Sequence, residues 1–130
     1  MDTERTTLPS PLPEDALAAA RATDIPELQA LLKEAERYLT PPEQELIARA
    51  FLLADQRHKT QFRASGEAYI YHPIAVTMIL AGYRMDAPTL AAALLHDTVE
   101  DTGTKLTELT EIFGSEVSML VGISLVRSST

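Results

Sequence analysis

The chain has 130 residues, no cysteine and a formal net charge of −8. A hydrophobic fraction of 45% is enough for one modest core, so we expect a single domain or part of one. The lack of cysteine excludes disulfides and zinc–thiolate sites, and it agrees with a reducing, cytoplasmic location. The acidic balance argues against DNA binding, which requires a basic face. No apolar run is long enough to cross a membrane.

The first part of the chain predicts a leader followed by helices. Residues 1–13 are rich in proline and poor in apolar residues, so we expect a disordered leader. Apolar residues then recur at helical spacing over 14–22 and from Pro26. A further helix start is predicted at Thr40, which can cap, because two prolines follow it and Glu43 stands at the capping-box position.

The second part of the chain also predicts helices. Pro73 is expected to open a helix that ends near Gly82 and is apolar on nearly all sides, so it should be central. Asp86 is expected to cap the next helix, which runs to about Gly103. Further helices are predicted over residues 104–113 and from residue 115 onward. No segment alternates like a strand, so residues 14–130 are predicted to form one all-α domain.

A cluster of polar residues follows the apolar run of the Asp86 helix. His96, Asp97, Glu100 and Asp101 have the spacing of one face of a single helix. An imidazole beside a carboxylate suits a divalent transition metal such as manganese, iron or zinc. His72 would add a second imidazole if its helix packs antiparallel to this one. For an isolated His-Asp pair we favour a hydrogen-bonded helix end with solvated acids, because short motifs often occur without a function. The mutual repulsion of three acids beside one histidine is the feature that a bound cation would compensate.

A short basic segment precedes these residues in an otherwise acidic chain. It contains Arg57, Lys59 and Arg63, and it would suit an anionic ligand. Cations near a helix C-terminus also complement the helix dipole, so we favour a solvated helix end on the residues alone. His58, within this segment, is expected to be a helix-end or core hydrogen-bonding residue rather than a metal ligand.

Two stretches of the sequence carry a family resemblance. The residues RASGEAYIYHPI (63–74) and HDTVEDT (96–102) resemble the hydrolase domain of the RelA/SpoT homologue family. The resemblance extends from about Thr40 to Val121 and keeps the family's spacing between the first histidine and the His-Asp pair. It implies an HD-type helical bundle. It also implies metal-dependent removal of pyrophosphate from the 3′ position of (p)ppGpp, which leaves GDP or GTP and ends the stringent response.

The resemblance assigns roles to the polar cluster. By it, His72, His96 and Asp97 are metal ligands, usually for Mn²⁺. Glu100 and Asp101 position the attacking water and remove its proton. This proposal is chemically coherent because a cation can polarise a phosphoryl oxygen while a carboxylate accepts the proton of the water.

The same resemblance implies that Arg63 and Ser65 face the nucleotide. In the family, a further aspartate downstream completes the metal site, and this sequence ends at Thr130 before a matching segment. We therefore expect a bundle that is incomplete at its C-terminus, with impaired activity and uncovered helix faces that favour self-association. Two other functions remain open: an inactive module that binds nucleotide or a partner helix, and an HD phosphohydrolase for another nucleotide.

Overall fold

The computed structural model describes residues 12–59, 66 and 68–128, with side chains up to residue 123. Residues 1–11 of the predicted leader lie outside this part of the chain. The helices are α1 (Ala16–Arg21), α2 (Pro26–Glu36), α3 (Pro41–Arg57), α4 (Tyr71–Gly82), α5 (Ala87–Leu95), α6 (Thr98–Thr102), α7 (Leu106–Phe113) and α8 (Ser115–Ser128). The described residues contain no strand, so the predicted all-α class is confirmed.

Helices α3 and α5 both begin with a residue whose side chain caps the helix. The backbone N–H of Thr40 donates to Glu43 Oε1 at 2.8 Å, and the backbone N–H of Glu43 donates to Thr40 Oγ1 at 3.4 Å. This reciprocal pair is the predicted capping box. Asp86 Oδ1 accepts from the backbone N–H of Thr89 at 3.0 Å, as predicted for an N-cap. The caps satisfy N–H groups that have no partner within the helix.

Helices α3 and α5 form the centre of the packing. Helix α3 contacts α1, α2, α5 and α6, and α5 contacts α3, α4 and α8. Phe51 of α3 is fully buried, and most of α5 is buried as well. The buried residues of α5 are Ala87, Leu90, Ala91, Ala92, Leu94 and Leu95. Burial of apolar surface at this crossing is the main force that fixes the end of α5 relative to the other helices.

Helix α4 differs from the prediction in two respects. It begins at Tyr71, two residues before Pro73, which the first turn tolerates because its N–H groups have no helical partner. It is not central, because Ile74 and Thr77 are buried while Ile79 is 62% exposed. The contacts of α4 with α2 and α5 cover one side of the helix. The apolar sequence of α4 therefore did not predict how many sides of this helix would be covered by other helices.

The predicted continuous helix from Asp86 to Gly103 is interrupted. Helix α5 ends at Leu95, a turn holds His96 and Asp97, and α6 begins at Thr98. Gly103 ends α6 with a φ of +78°, which favours glycine because it lacks a Cβ. In the described part of the chain, no helix combines the length and the apolar character that a membrane span requires.

An ion pair joins the end of α3 to α7. Arg57 Nη2 lies 2.5 Å from Glu108 Oε2, and Arg57 Nη1 lies 3.3 Å from Glu108 Oε1 and 2.7 Å from Thr104 Oγ1. The Arg57 side chain is 20% exposed, so it is not the solvated helix-end cation that we favoured. Lys59 is 72% exposed and pairs with Asp55 at 3.6 Å, which fits that expectation.

We expect Glu108→Gln to lower the free energy of unfolding at neutral pH by about 1 kcal/mol, the upper end for partly exposed ion pairs. The hydrogen bond from Arg57 holds the pKa of Glu108 below its ordinary value of 4.5. A lowered carboxyl pKa stabilises the fold above pH 4.5, and this stabilisation is lost as the pH falls through the folded-state pKa. Urea unfolding of both proteins between pH 7 and pH 3 measures the difference, which should shrink below pH 4.5. A constant difference would contradict the ion-pair explanation.

Candidate metal centre

Three predicted ligands converge where α4 begins and α5 ends. One ligand atom from each of His72, His96 and Asp97 lies within 4.8 Å of the others, and the three side chains are partly buried. The ring centroids of His72 and His96 are 6.3 Å apart. Because the start of α4 meets the end of α5, the two helices run antiparallel. Antiparallel packing was the condition under which the sequence predicted that His72 would join His96 and Asp97.

Hydrogen bonding orients the His96 ring toward the cluster. His96 Nδ1 lies 2.8 Å from the carbonyl oxygen of Ala93. Since a carbonyl oxygen can only accept, we assign the proton to Nδ1, which leaves the lone pair of Nε2 available to a cation. Nε2 lies 3.2 Å from Asp97 Oδ2. Two imidazoles and one carboxylate form a mixed nitrogen and oxygen donor set that fits a divalent transition metal.

Tyr69 is a further member of the site, and no definite role for it followed from the sequence. Its hydroxyl donates a hydrogen bond to Asp97 Oδ2. Burial raises the pKa of Tyr69 above its ordinary value of 10.0, and the hydrogen bond to Asp97 and the charges of Asp97 and Asp101 raise it further. The hydroxyl therefore stays protonated and continues to donate. Its place three residues before His72 was the available signal.

His58 lies behind Tyr69, at the C-cap of α3. It is 3% exposed, and its ring stacks on the Tyr69 ring with centroids 4.4 Å apart and an angle of 24° between the planes. His58 Nε2 lies 3.5 Å from Thr98 Oγ1. The expectation that His58 is a helix-end, hydrogen-bonding residue is confirmed.

The two acids predicted to be catalytic lie on α6. Glu100 and Asp101 are both exposed, and the backbone N–H of Asp101 donates to the carbonyl oxygen of Asp97 at 2.9 Å. The prediction that these acids lie on a single helix with His96 and Asp97 is wrong, because a turn at 96–97 separates α5 from α6. The structure groups His72 with His96 and Asp97. Asp101 is nevertheless near enough to influence the pKa of Tyr69.

The two residues predicted to face the nucleotide, Arg63 and Ser65, lie outside the described residues. Their predicted roles rest on the resemblance alone.

Comparison with known proteins gives several relatives. The chain is 50% identical over 105 residues to a protein named probable GTP pyrophosphokinase from Mycobacterium leprae, which covers 81% of this chain and 13% of that protein. It is 47% identical over 91 residues to a guanosine-3′,5′-bis(diphosphate) 3′-pyrophosphohydrolase from Vibrio cholerae, which covers 69% of this chain and 13% of that one. It is 50% identical over 87 residues to a bifunctional (p)ppGpp synthase/hydrolase RelA from Mycobacterium tuberculosis, and this match covers 67% of this chain and 12% of that protein.

These relatives confirm the resemblance to the RelA/SpoT homologue family that the sequence predicted. The chain spans 12 to 13% of the length of the three relatives named above. A family described as HD domain matches residues 50–125, which include His72, His96 and Asp97. The match spans more than half of the sequence and all three converging side chains, and the chain therefore belongs to the HD domain family.

Proposed function

We propose that this chain carries the metal site of a hydrolase that removes pyrophosphate from the 3′ position of (p)ppGpp and so ends the stringent response. The observation that supports this most directly is the convergence of three donor atoms within 4.8 Å in an HD domain. One relative is named as a 3′-pyrophosphohydrolase of this guanosine bis-diphosphate. The products would be pyrophosphate and GDP or GTP.

In this proposal His72, His96 and Asp97 hold a divalent cation, with Mn²⁺ as the expected ion. The partly buried setting of the three side chains leaves the cluster accessible while limiting competition from water. When bound, the cation would polarise a phosphoryl oxygen and lower the pKa of water. Tyr69 holds Asp97 in place through its hydrogen bond, as outer-shell partners of ligands commonly do.

The proposed acceptors of the proton from the attacking water are the two acidic residues of α6. Glu100 and Asp101 are exposed carboxylates on the short helix that follows Asp97, and Asp101 lies one helical turn after Asp97. In the proposed reaction, one of them accepts a proton from the water that attacks the 3′-diphosphate. The bond between the 3′ oxygen and phosphorus breaks, and the 3′ oxygen takes up a proton.

The substrate is an anion, whereas the chain has a net charge of −8. Local cations must therefore offset this repulsion. Arg57 is engaged by Glu108, so it is a poor candidate for a phosphate contact. We propose that Arg63 and Ser65 contact the nucleotide.

Metal binding can be tested without substrate. Calorimetric titration with Mn²⁺ is expected to show one site in the natural chain. His72→Ala is expected to weaken it by more than about tenfold, the lower end of what loss of even an outer-shell partner produces. Equal affinity in the two proteins would remove His72 from the ligand set.

Turnover can be tested with a matched pair of aspartate variants. We expect Mn²⁺-dependent release of pyrophosphate from ppGpp by the natural chain, and no release by Asp97→Ala. Asp24 is exposed and lies between α1 and α2, so Asp24→Ala removes one carboxylate while leaving the cluster unchanged. It should hydrolyse ppGpp like the natural chain. If the natural chain releases no pyrophosphate at any Mn²⁺ concentration, the proposed activity is wrong.

The proposed proton acceptors make a separate prediction. Asp101→Asn and Glu100→Gln keep the size of each side chain but remove its basic oxygen. The variant that lacks the true acceptor should lose about 10²- to 10⁴-fold in kcat, the usual contribution of general acid–base catalysis. Its Mn²⁺ affinity should remain near that of the natural chain. Unchanged kcat in both variants would contradict the roles given to these acids.

A further inference from the structure

We propose that His58 is a positioning residue, which holds the Tyr69 ring so that its hydroxyl fixes the Asp97 carboxylate in the metal cluster. The inference rests on the proposed ligand role of Asp97. None of the roles assigned above requires His58, which lies outside the group of converging donors.

The first contact acts through Tyr69. The imidazole of His58 lies against the Tyr69 ring at 4.4 Å and nearly parallel to it, with an angle of 24° between the planes. Stacked rings exclude water and restrict rotation, and the Tyr69 hydroxyl is the donor to Asp97 Oδ2. The Asp97 carboxylate also approaches His96 Nε2 at 3.2 Å through this same oxygen. The orientation of the Tyr69 ring therefore influences the orientation of a proposed ligand.

The second contact is with the side chain of Thr98, the residue next to Asp97 in the chain. His58 Nε2 lies 3.5 Å from Oγ1 of Thr98, the residue that follows Asp97 and begins α6. Thr98 is fully buried, so loss of this contact would leave a polar group without compensation from water. His58 thus touches both the ring that donates to Asp97 and the residue next to Asp97 in the chain.

The position of His58 explains why the contact can be rigid. His58 is 3% exposed and caps α3, and its backbone N–H donates to the carbonyl oxygen of Ala54 at 3.0 Å. Ala54 is buried in the core. The central helix therefore anchors the imidazole, and side chains on rigid elements hold a site more accurately than those on loops.

The first test needs no metal. In the natural chain, the hydrogen bond to a carboxylate should give the Tyr69 hydroxyl proton a downfield NMR signal, which Tyr69→Phe identifies by removing it. We expect His58→Ala to lose or broaden this signal, since Tyr69 can then rotate. A sharp signal at the natural position in a folded His58→Ala chain would overturn the inference.

The second test measures Mn²⁺ affinity in a set of variants. His58→Ala should weaken binding by about 10- to 100-fold, as expected for loss of outer-shell support. His58→Phe combined with Thr98→Val keeps a ring that can stack on Tyr69 and removes the two polar atoms of the His58–Thr98 contact together. It should restore affinity to within about threefold, because the stacking that holds the Tyr69 ring is kept and no hydroxyl of residue 98 is left buried without its partner.

A control separates this role from general loss of stability. Gln44 is buried on the same helix, and its Nε2 donates to the carbonyl oxygen of Leu39 at 2.9 Å. It lies fourteen positions before His58, or about 20 Å along the helix at 1.5 Å per residue. Gln44→Ala should lower the melting temperature without changing Mn²⁺ affinity or the Tyr69 signal. Equal effects of Gln44→Ala and His58→Ala on both readouts would refute a positioning role.

These outcomes are independent of the proposed activity. A natural chain that binds Mn²⁺ with dependence on His58 but does not hydrolyse ppGpp would refute the proposed function and support this inference. A chain that hydrolyses ppGpp while His58→Ala keeps the Tyr69 signal and Mn²⁺ affinity would do the reverse.

Discussion

The site depends on the antiparallel contact between α4 and α5. His72 stands in the first turn of α4 and His96 directly follows α5, so any shift between the two helices would separate the imidazoles. The apolar residues of α5 are buried and α5 also packs against α3, which restrains the end of α5 further. Because a well-packed interior resists small displacements, core packing sets the distance between the donor atoms.

Support for the cluster comes from outside the two helices that carry it. Tyr69 donates to Asp97 from the segment before α4, and His58 stacks behind Tyr69 from the end of α3. From within α5, the backbone carbonyl of Ala93 adds a further contact that orients His96. In the described residues, every buried side-chain nitrogen and oxygen has a hydrogen-bond partner. This degree of satisfaction favours one arrangement of the donors over many.

Electrostatics divides the charged residues of this region into two groups. Arg57 is held between Thr104 and Glu108, where it joins α3 to α7 and stabilises the fold. The carboxylates of Asp97 and Asp101 lie near each other around the Tyr69 hydroxyl. Like charges at short range are unfavourable, and a divalent cation would relieve that repulsion. The charge of the site therefore agrees with the metal role proposed for its residues.

The sequence alone determined the all-α class, the caps at Thr40 and Asp86, and the residue types of the proposed ligands. Those features depend on neighbours within one or two turns, which periodicity and capping rules describe. Tertiary structure decided the turn at 96–97, the one-sided burial of α4, and the joining of His58 to Tyr69 and Thr98. His58 and Thr98 are 40 positions apart in the sequence, and Tyr69 and Asp97 are 28 positions apart. No local pattern records such contacts, because the packing of separate helices creates them.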